Sequence, residues 1–362
     1  MRLFLLLFLL YFFTPSFSQV TCGTDRQHNY LMQHSTEYAR TMARRETMRL
    51  PTQLKPEKPG HPDTIQVVIH VMHTGEPVGS VENPAEADIQ KMIDGLNLYF
   101  KAGYPDDAGL NKSVGVDVGL YFSLAKLSPS CLPTNGINRV YLGNNVTYKG
   151  YGISVEGYDG ITQESLAGYG YWNNTRYLNI WLVNKISNGV FLGYAYYPTG
   201  QLSIYYGVIL ENSTLQKPSI LAHEVGHAFS LYHTFYGSNK DNCTVNRNCD
   251  LDGDQVCDTD PVLQVTDGCY VDANNPCTNQ PFGNMVYNHM SYSCGTIFTT
   301  GQKSRMRMAL EMYRNGWLTG SANNTGCSFQ PVQVLATNTE KKSCNVMQLK
   351  WKATAEQDTR GY

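Results

Sequence analysis

His223-Glu224-Val225-Gly226-His227-Ala228-Phe229-Ser230-Leu231-Tyr232-His233 is the most informative stretch of this 362-residue chain. In a helix, His223 and His227 are four residues apart and lie on one face, where both imidazoles can reach a single ion. Glu224 then lies beside that ion rather than on it, which leaves a coordination position open for water. The pattern predicts a catalytic zinc site on a helix over about residues 219–230.

The third zinc ligand has to come from further along the chain. No glutamate occurs between Val225 and Leu310, so His233 is the predicted ligand. To reach the ion, the chain must leave the helix soon after His227 and turn back, and glycine at positive φ is the usual residue for such a turn. Ser230 occupies that place, at a cost of about 1 kcal/mol that zinc ligation can offset. The alternative is a buried helix with two incidental histidines, which the third histidine disfavours.

Further motifs follow downstream in a distinctive order. They are His233-Thr234-Phe235, Gly253-Asp254-Gln255-Val256-Cys257-Asp258-Thr259, Asn288-His289-Met290-Ser291-Tyr292 and Phe298-Thr299-Thr300-Gly301-Gln302-Lys303-Ser304-Arg305-Met306. Together with the histidine motif, they resemble the pappalysin family of metzincin zinc endopeptidases, particularly its short bacterial members. The resemblance implies an α+β, metzincin-like fold. In that fold, a mixed twisted sheet with a backing helix and an active-site helix lies above an irregular, disulfide-bearing lower lobe.

The resemblance also implies a role for individual residues. Glu224 is expected to be the general base of peptide-bond hydrolysis, with zinc as cofactor and polypeptides as substrates. Tyr292 matches a position whose phenol donates a hydrogen bond to the tetrahedral oxyanion, although a core tyrosine is the alternative. Met290 is expected to form an apolar floor beneath the histidines without binding the metal.

Oxygen ligands are concentrated in the loop after the histidine motif. Three aspartates in Asp250-Leu251-Asp252-Gly253-Asp254 are followed by two more oxygen donors, and hard oxygen donors at loop spacing suit calcium. A solvated acidic loop is the alternative, and the resemblance favours calcium. The predicted calcium ligands are Asp252, Asp254, Val256, Asp258 and Thr259.

The beginning of the chain predicts export. Arg2, an apolar run to Phe13 and then Ser16-Phe17-Ser18 are typical of a secretory signal peptide over residues 1–18. A membrane anchor is disfavoured because the run is short for a bilayer, and no later segment is predicted to span one. All ten cysteines lie beyond it, so disulfides and a secreted, extracellular protein are expected. A net charge of −2 without a basic stripe argues against nucleic-acid binding.

Residues 19–55 are predicted to be a pro-segment. Relatives of this kind carry a Cys-Gly motif there, and Cys22-Gly23 would place a thiolate on the zinc and keep the precursor latent. A disulfide between Cys22 and Cys131 is the alternative. Activation is expected from another protease or from self-cleavage near Arg44, Arg45 and Arg49, in a stretch predicted to be exposed.

The remaining chain is divided by composition and pattern. Residues 56–319 form the predicted catalytic domain, 320–331 a linker and 332–362 the incomplete start of a fibronectin-like β module. A helix is predicted from Asn83-Pro84 to residue 100, and a strand over residues 203–210 is placed at the sheet edge. The resemblance implies the disulfides Cys269–Cys294 and Cys243–Cys277; it leaves the other pairings open, and Cys249–Cys257 is one possibility.

Two other functions are compatible with parts of the sequence. The first is a catalytically inactive, calcium-stabilised metzincin scaffold that acts as a binding or adhesion module, favoured by Ser230 and the β-like tail. The presence of Glu224 beside three histidines argues against it. The second is a zinc amidase or deacetylase, which the predicted edge strand disfavours because such a strand suits an extended peptide. Ser293-Cys294-Gly295 contains no carboxylate, so no preference for substrates with Lys or Arg is predicted.

Overall fold

The computed structural model describes residues 22–47, 63–102, 115–198, 207–264, 272–292, 295–318, 334–343 and 346–353. Contacts divide the chain into two compact units, residues 1–322 and 323–362. The predicted signal peptide and linker lie outside the described residues.

A six-stranded, mostly parallel sheet forms the centre of the first unit. Its strand order is β2–β1–β4–β6–β5, and β3 also pairs with β1. The strands are β1 (Asp63–His73), β2 (Leu120–Leu124), β3 (Ile137–Tyr141), β4 (Leu178–Val183), β5 (Gly193–Ala195) and β6 (Val208–Glu211). Each pair is parallel except β5 with β6. The predicted mixed sheet is confirmed.

Eight helices of the described residues surround this sheet or extend from it. They are α1 (Thr24–His34), α2 (Thr36–Thr47), α3 (Glu86–Phe100), α4 (Val146–Tyr151), α5 (Gln163–Tyr169), α6 (Pro218–Ala228), α7 (Thr300–Tyr313) and α8 (Asn315–Leu318). Short 3₁₀ turns occupy Ser187–Gly189, Asn212–Thr214 and Gly283–Tyr287. Within the described residues, every helix is too short or too polar to cross a membrane.

The central strands are apolar on both faces because both faces are covered. On one face, Val67 and Ile69 of β1 pack in one core with Ile93 of α3 and Val225 of α6. The two helices approach closely at Gly95, where a Cβ atom would lie 2.5 Å from Pro218 Cγ. The packing of α3 and α6 therefore holds the histidine motif firmly under the sheet.

Two predictions about individual elements are wrong. The helix predicted from Asn83 begins at Glu86, because the Asn83 side chain donates a hydrogen bond to the Glu76 carbonyl oxygen (2.7 Å) and accepts one from Arg139 instead of capping a helix. The strand predicted at the sheet edge, β6, lies between β4 and β5. The edge is formed by β5, which returns antiparallel beside it.

The region after α6 is irregular, and covalent links cross it. Two short strands, β7 (Asn274–Asn275) and β8 (Gln280–Pro281), pair in antiparallel fashion. Disulfides join Cys243 to Cys277, the pair that the resemblance implies, and Cys249 to Cys257. The expected Cys269–Cys294 pair lies outside the described residues. A segment with so little regular structure buries few apolar side chains. Its disulfides are therefore expected to contribute a large part of its stability.

The second unit contains one antiparallel pair, β9 (Val334–Ser343) with β10 (Val346–Ala353). Two paired strands are fewer than a sandwich requires. The fibronectin-like module therefore stays a prediction.

Candidate metal and catalytic site

Helix α6 carries the first part of the site, and the turn after it carries the rest. The helix ends at Ala228, and Ser230 follows at φ +81°. Leu231 N donates to the Gly226 carbonyl oxygen (3.0 Å) and Ser230 N to that of His227 (2.8 Å). These bonds close a helix end of the kind that normally uses glycine at the left-handed position. Ser230 adopts that conformation, and the chain turns back toward the helix.

The turn brings His233 to the two histidines of α6. The three Nε2 atoms of His223, His227 and His233 are 3.1–3.2 Å from one another. A tetrahedral zinc ion with Zn–N bonds near 2.05 Å separates its nitrogen ligands by about 3.3 Å. The spacing of the three nitrogens therefore fits one face of a zinc tetrahedron.

Each imidazole is oriented by its other nitrogen. Nδ1 of His223 lies 2.6 Å from the His289 carbonyl oxygen, and Nδ1 of His227 lies 2.8 Å from that of Leu231. Nδ1 of His233 lies 2.7 Å from Asp25 Oδ2. When Nδ1 carries the proton toward these oxygens, the Nε2 lone pair is free for a metal.

Burial keeps His223 and His227 neutral, as metal ligands must be. Burial lowers the pKa of His223 to about 3 and that of His227 well below its ordinary value, with a smaller effect from neighbouring histidines. Burial also raises the pKa of Glu224 to about 8. A carboxyl group with a pKa near neutrality can both accept and deliver a proton.

Met290 and its neighbours support the site from below. Met290 is fully buried, and a Cβ atom on Gly226 would lie 2.5 Å from its sulfur, so the helix rests directly on this side chain. The Met290 carbonyl oxygen accepts a hydrogen bond from Thr234 N (3.0 Å). Asn288 exchanges two side-chain hydrogen bonds with Gln302 of α7 (3.0 and 2.9 Å). These contacts fix the turn that carries Tyr292.

Tyr292 lies beside the histidines. Its ring centroid is 4.9 Å from that of His233 and 6.0 Å from that of His223. Its hydroxyl donates a hydrogen bond to the Cys22 carbonyl oxygen at 3.3 Å. The phenol therefore already binds a peptide carbonyl at the edge of the site.

Cys22 lies at the open side of the three histidines. Its thiol is free and buried, and its sulfur groups with the three histidine nitrogens as a set able to hold one metal ion. The sulfur is also 3.3 Å from Glu224 Oε2. The alternative disulfide with Cys131 is wrong, since Cys131 is disulfide-bonded without it.

The residues after Cys22 attach to the sheet edge. Gly23 N donates to the Gly193 carbonyl oxygen of β5 at 2.9 Å, and Ala195 N donates to Thr24 Oγ1 at 3.0 Å. The Thr24 hydroxyl also lies 3.3 Å from Glu224 Oε2. The N-terminal segment therefore occupies both the edge strand and the side of the carboxylate.

Sequence reasoning did not identify two residues that support the site. Asp25 binds His233 Nδ1 and accepts a hydrogen bond from the Tyr197 hydroxyl (3.1 Å). An aspartate in the first turn of a helix is common, so nothing in the sequence distinguished it. Arg305 is buried on α7 and donates through Nε to the Ser230 carbonyl oxygen (2.8 Å). Arg305 lies within one of the motifs on which the family resemblance rests, and that position was the feature of the sequence that could have identified it.

The expectation of an exposed cleavage stretch is wrong for Arg45. Arg44 is exposed on α2, but Arg45 is only 7% exposed. Its guanidinium donates to the Tyr232 hydroxyl (3.2 Å) and to the Ser230 hydroxyl. The cause is tertiary packing, which the local composition does not reveal. Arg49 lies outside the described residues.

The candidate calcium ligands separate into two groups. Thr259 Oγ1 lies 2.7 Å from Asp254 Oδ2 and 2.8 Å from the Val256 carbonyl oxygen, so these three residues bring their oxygens together. Asp252 instead accepts hydrogen bonds from the backbone N–H groups of residues 247 and 248. Asp258 accepts from Thr299 and Gly301 at the start of α7.

Asp254 is the buried member of this loop. Burial raises the pKa of its carboxyl to about 7. A cation beside that carboxyl would compensate the cost of burying its charge, and the surrounding carbonyl and hydroxyl oxygens are of the kind that calcium prefers. The calcium site stays a prediction.

Comparisons with known proteins find metalloproteases among the similar sequences. Residues 160–311 match the family model Peptidase_M43, described as pregnancy-associated plasma protein-A. An extracellular metalloprotease of Pyricularia oryzae is 33% identical over 153 residues, which cover 38% of this chain and 50% of the relative. An extracellular metalloprotease of Sordaria macrospora is 28% identical over 249 residues, or 59% of this chain and 81% of the relative. The chain thus spans about half the length of the first of these relatives.

Two solved structures share the fold of this chain. Mirolysin bound to a small compound has a TM-score of 0.56 and 26% identity, with 72% of this chain and all of that chain covered. A mutant of promirolysin from Tannerella forsythia has a TM-score of 0.57 and 23% identity, with 82% of this chain and 97% of that chain covered. At 23% identity, the similarity to the promirolysin mutant supports the fold and nothing further.

Proposed function

We propose that this protein is a secreted zinc metalloendopeptidase made as a latent precursor, because residues 160–311 match the family model Peptidase_M43. The observation that carries the proposal is the convergence of three imidazole nitrogens beside Glu224, with the Cys22 sulfur at the open side. The names of the curated relatives, extracellular metalloproteases, support both the reaction and the export.

In this proposal, His223, His227 and His233 hold the zinc. Zinc bound there supplies Lewis acidity, which makes a water molecule acidic near neutral pH and polarises the carbonyl group of the substrate. The neutral imidazoles and their spacing fit such an ion. Their Nδ1 partners keep the rings in place, and this orientation sustains metal affinity.

Glu224 performs the proton transfers. It accepts a proton from the attacking water and then delivers it to the nitrogen of the departing amine. In the latent form, where Cys22 and Thr24 also cover it, burial raises the pKa of Glu224 to about 8.

Tyr292 and strand β5 act on the substrate carbonyl and backbone. The Tyr292 hydroxyl, which donates to the Cys22 carbonyl oxygen here, is placed to donate to the oxyanion of a substrate in the same position. The Gly193 carbonyl oxygen and Ala195 N, both engaged by the N-terminal segment, can pair with an extended peptide. Peptide substrates therefore fit better than the small amides of the alternative amidase or deacetylase.

The N-terminal segment explains latency. Cys22 lies where the substrate and the nucleophilic water would be, and a thiolate is a strong zinc ligand. Activation then requires removal of residues 22–47 from the cleft. The inactive-scaffold alternative has less support, because it leaves Glu224 and the cysteine arrangement without a purpose.

A calcium ion is proposed at Asp254, Val256 and Thr259. The three oxygens lie together, and the raised pKa of Asp254 reflects a buried carboxyl that lacks sufficient compensating charge. The hydrogen bonds of Asp252 and Asp258 give them a supporting role around the loop.

The role of Glu224 is tested with Glu224→Gln. Activity on casein should fall by about 100-fold or more, the typical contribution of a general base. Zinc content, measured by atomic emission, should stay at one ion per chain because the histidines are unchanged. Retained turnover with zinc bound would contradict the role of Glu224.

The role of Cys22 is tested with Cys22→Ala in the uncleaved chain. The variant should cleave a fluorogenic peptide before any trimming, whereas the parent chain should not. Removing the thiol opens the fourth zinc position without touching the catalytic domain. An uncleaved variant as silent as its parent would show that latency has another cause.

A further inference from the structure

Ser230 departs from the glycine of the family pattern, and the structure gives the serine side chain a partner. Its hydroxyl accepts a hydrogen bond from Arg45 Nη2, 185 residues away in the chain. Its carbonyl oxygen accepts a separate bond from Arg305. Glycine could form the same turn and the bond to Arg305, but it could not receive Arg45.

The site around Arg45 is built for a planar cation. The guanidinium carbon lies 5.3 Å from the ring centroids of both Tyr197 and Tyr232. Nη1 donates to the Tyr232 hydroxyl at 3.2 Å. Arginine can stack on aromatic rings and donate several hydrogen bonds at once, which lysine cannot reproduce.

Arg45 belongs to a buried face of α2. Tyr38 and Met42 lie on the same face at helical spacing, and both pack in one core with Tyr197 and Tyr232. Arg44, the preceding residue, is exposed. The contact of Arg45 is therefore part of a docked surface rather than an isolated surface pair.

We propose that Ser230, Tyr197 and Tyr232 form a guanidinium site by which the catalytic domain recognises its own N-terminal segment. This site is a second point of attachment, at the opposite end of residues 22–47 from Cys22. The inference rests on the proposed latency and deepens it. A cut beyond Thr47 leaves both attachments in place, so activation also requires release of the helix pair or a further cut within it.

The experiment uses the zinc-loaded chain from residue 19 onward, with Glu224→Gln to prevent self-cleavage. Hydrogen exchange of the α2 amides is followed by mass spectrometry, together with the rate at which a thiol reagent labels Cys22. Arg45→Ala should speed exchange in α2 about tenfold or more, because a buried hydrogen bond to a charged group is lost. Alanine favours helix, so faster exchange would reflect undocking rather than a weaker helix. Arg45→Lys should recover little of the protection.

Two controls make the result decisive. Arg40→Ala removes an exposed arginine of the same helix and should leave exchange in α2 unchanged. Ser230→Gly should speed exchange by itself, and the double variant with Arg45→Ala should be no faster than Arg45→Ala alone, since Arg45→Ala has already removed the donor to the Ser230 hydroxyl. The proposal is overturned if Arg45→Ala exchanges like Arg40→Ala, or if the effects of Arg45→Ala and Ser230→Gly multiply. Exchange needs no turnover, so this outcome is independent of whether the chain is a peptidase.

Discussion

The histidine site and the loop over residues 252–259 both gather candidate metal ligands, but they are held in different ways. Two of the histidines stand on α6, whose packing against α3 fixes them, and their nitrogens point to a common centre. The loop is not helical itself: Asp258 attaches it to the start of α7, and Thr259, Asp254 and the Cys249–Cys257 disulfide complete its contacts. A helix makes ligand spacing regular, whereas a loop needs tertiary contacts to choose which oxygens meet.

The largest expected effect concerns the third zinc ligand. His233→Ala in the trimmed enzyme should lower zinc affinity by more than the roughly 10- to 100-fold that loss of an outer hydrogen-bond partner costs. Activity should fall with it. Zinc retained after dialysis is measured by atomic emission, with Asp254→Asn as a control that should keep its zinc. Equal zinc retention in both variants would contradict the role of His233 as a zinc ligand.

An intermediate effect concerns the covalent links of the irregular region. Replacing Cys243 and Cys277 by Ala should lower the free energy of unfolding by about 2–4 kcal/mol, measured in urea. The matched control replaces Cys249 and Cys257, which close a loop of 8 residues instead of 34 and should cost less. An equal or larger loss from the shorter loop would show that native contacts, not loop closure, dominate. Neither double variant should release zinc from the histidine site.

The smallest expected effect concerns calcium. The melting temperature should fall in a calcium-selective chelator with zinc in excess, and added calcium should restore it while magnesium does not. The fall should be roughly 1–2 °C for each kcal/mol of lost binding energy, because the shift becomes smaller as the chain becomes longer. Asp254→Asn should abolish the response, and Asp241→Asn, an exposed carboxylate outside the loop, should preserve it. A response that survives Asp254→Asn would place the ion elsewhere.

Much of the fold and site was predictable where the signal is local. The α6 helix, the mixed sheet and the pair Cys243–Cys277 agree with expectation. The edge strand was misassigned, because an apolar run does not reveal which neighbour it pairs with. The start of α3 was misplaced, because the Asn83 side chain has a better partner in Arg139 than in the helix.

The contacts that the sequence did not predict all join residues far apart in the chain. Asp25 meets His233 across 208 positions, and Arg45 meets Ser230 across 185. The residues next to Asp25 and Arg45 in the sequence indicate only a polar helix and do not predict either contact. Arg305 likewise reaches Ser230 from a helix 75 positions away.

Four-residue spacing on one helix was sufficient to specify the two histidines of α6 and the carboxylate beside them, because helix geometry is the same in every protein. The partners that orient those groups, the chain segment that covers them and the edge strand that it pairs with depended on how distant parts of the chain pack. Packing joins residues by shape and charge over hundreds of positions, and no short period in the sequence records such a contact.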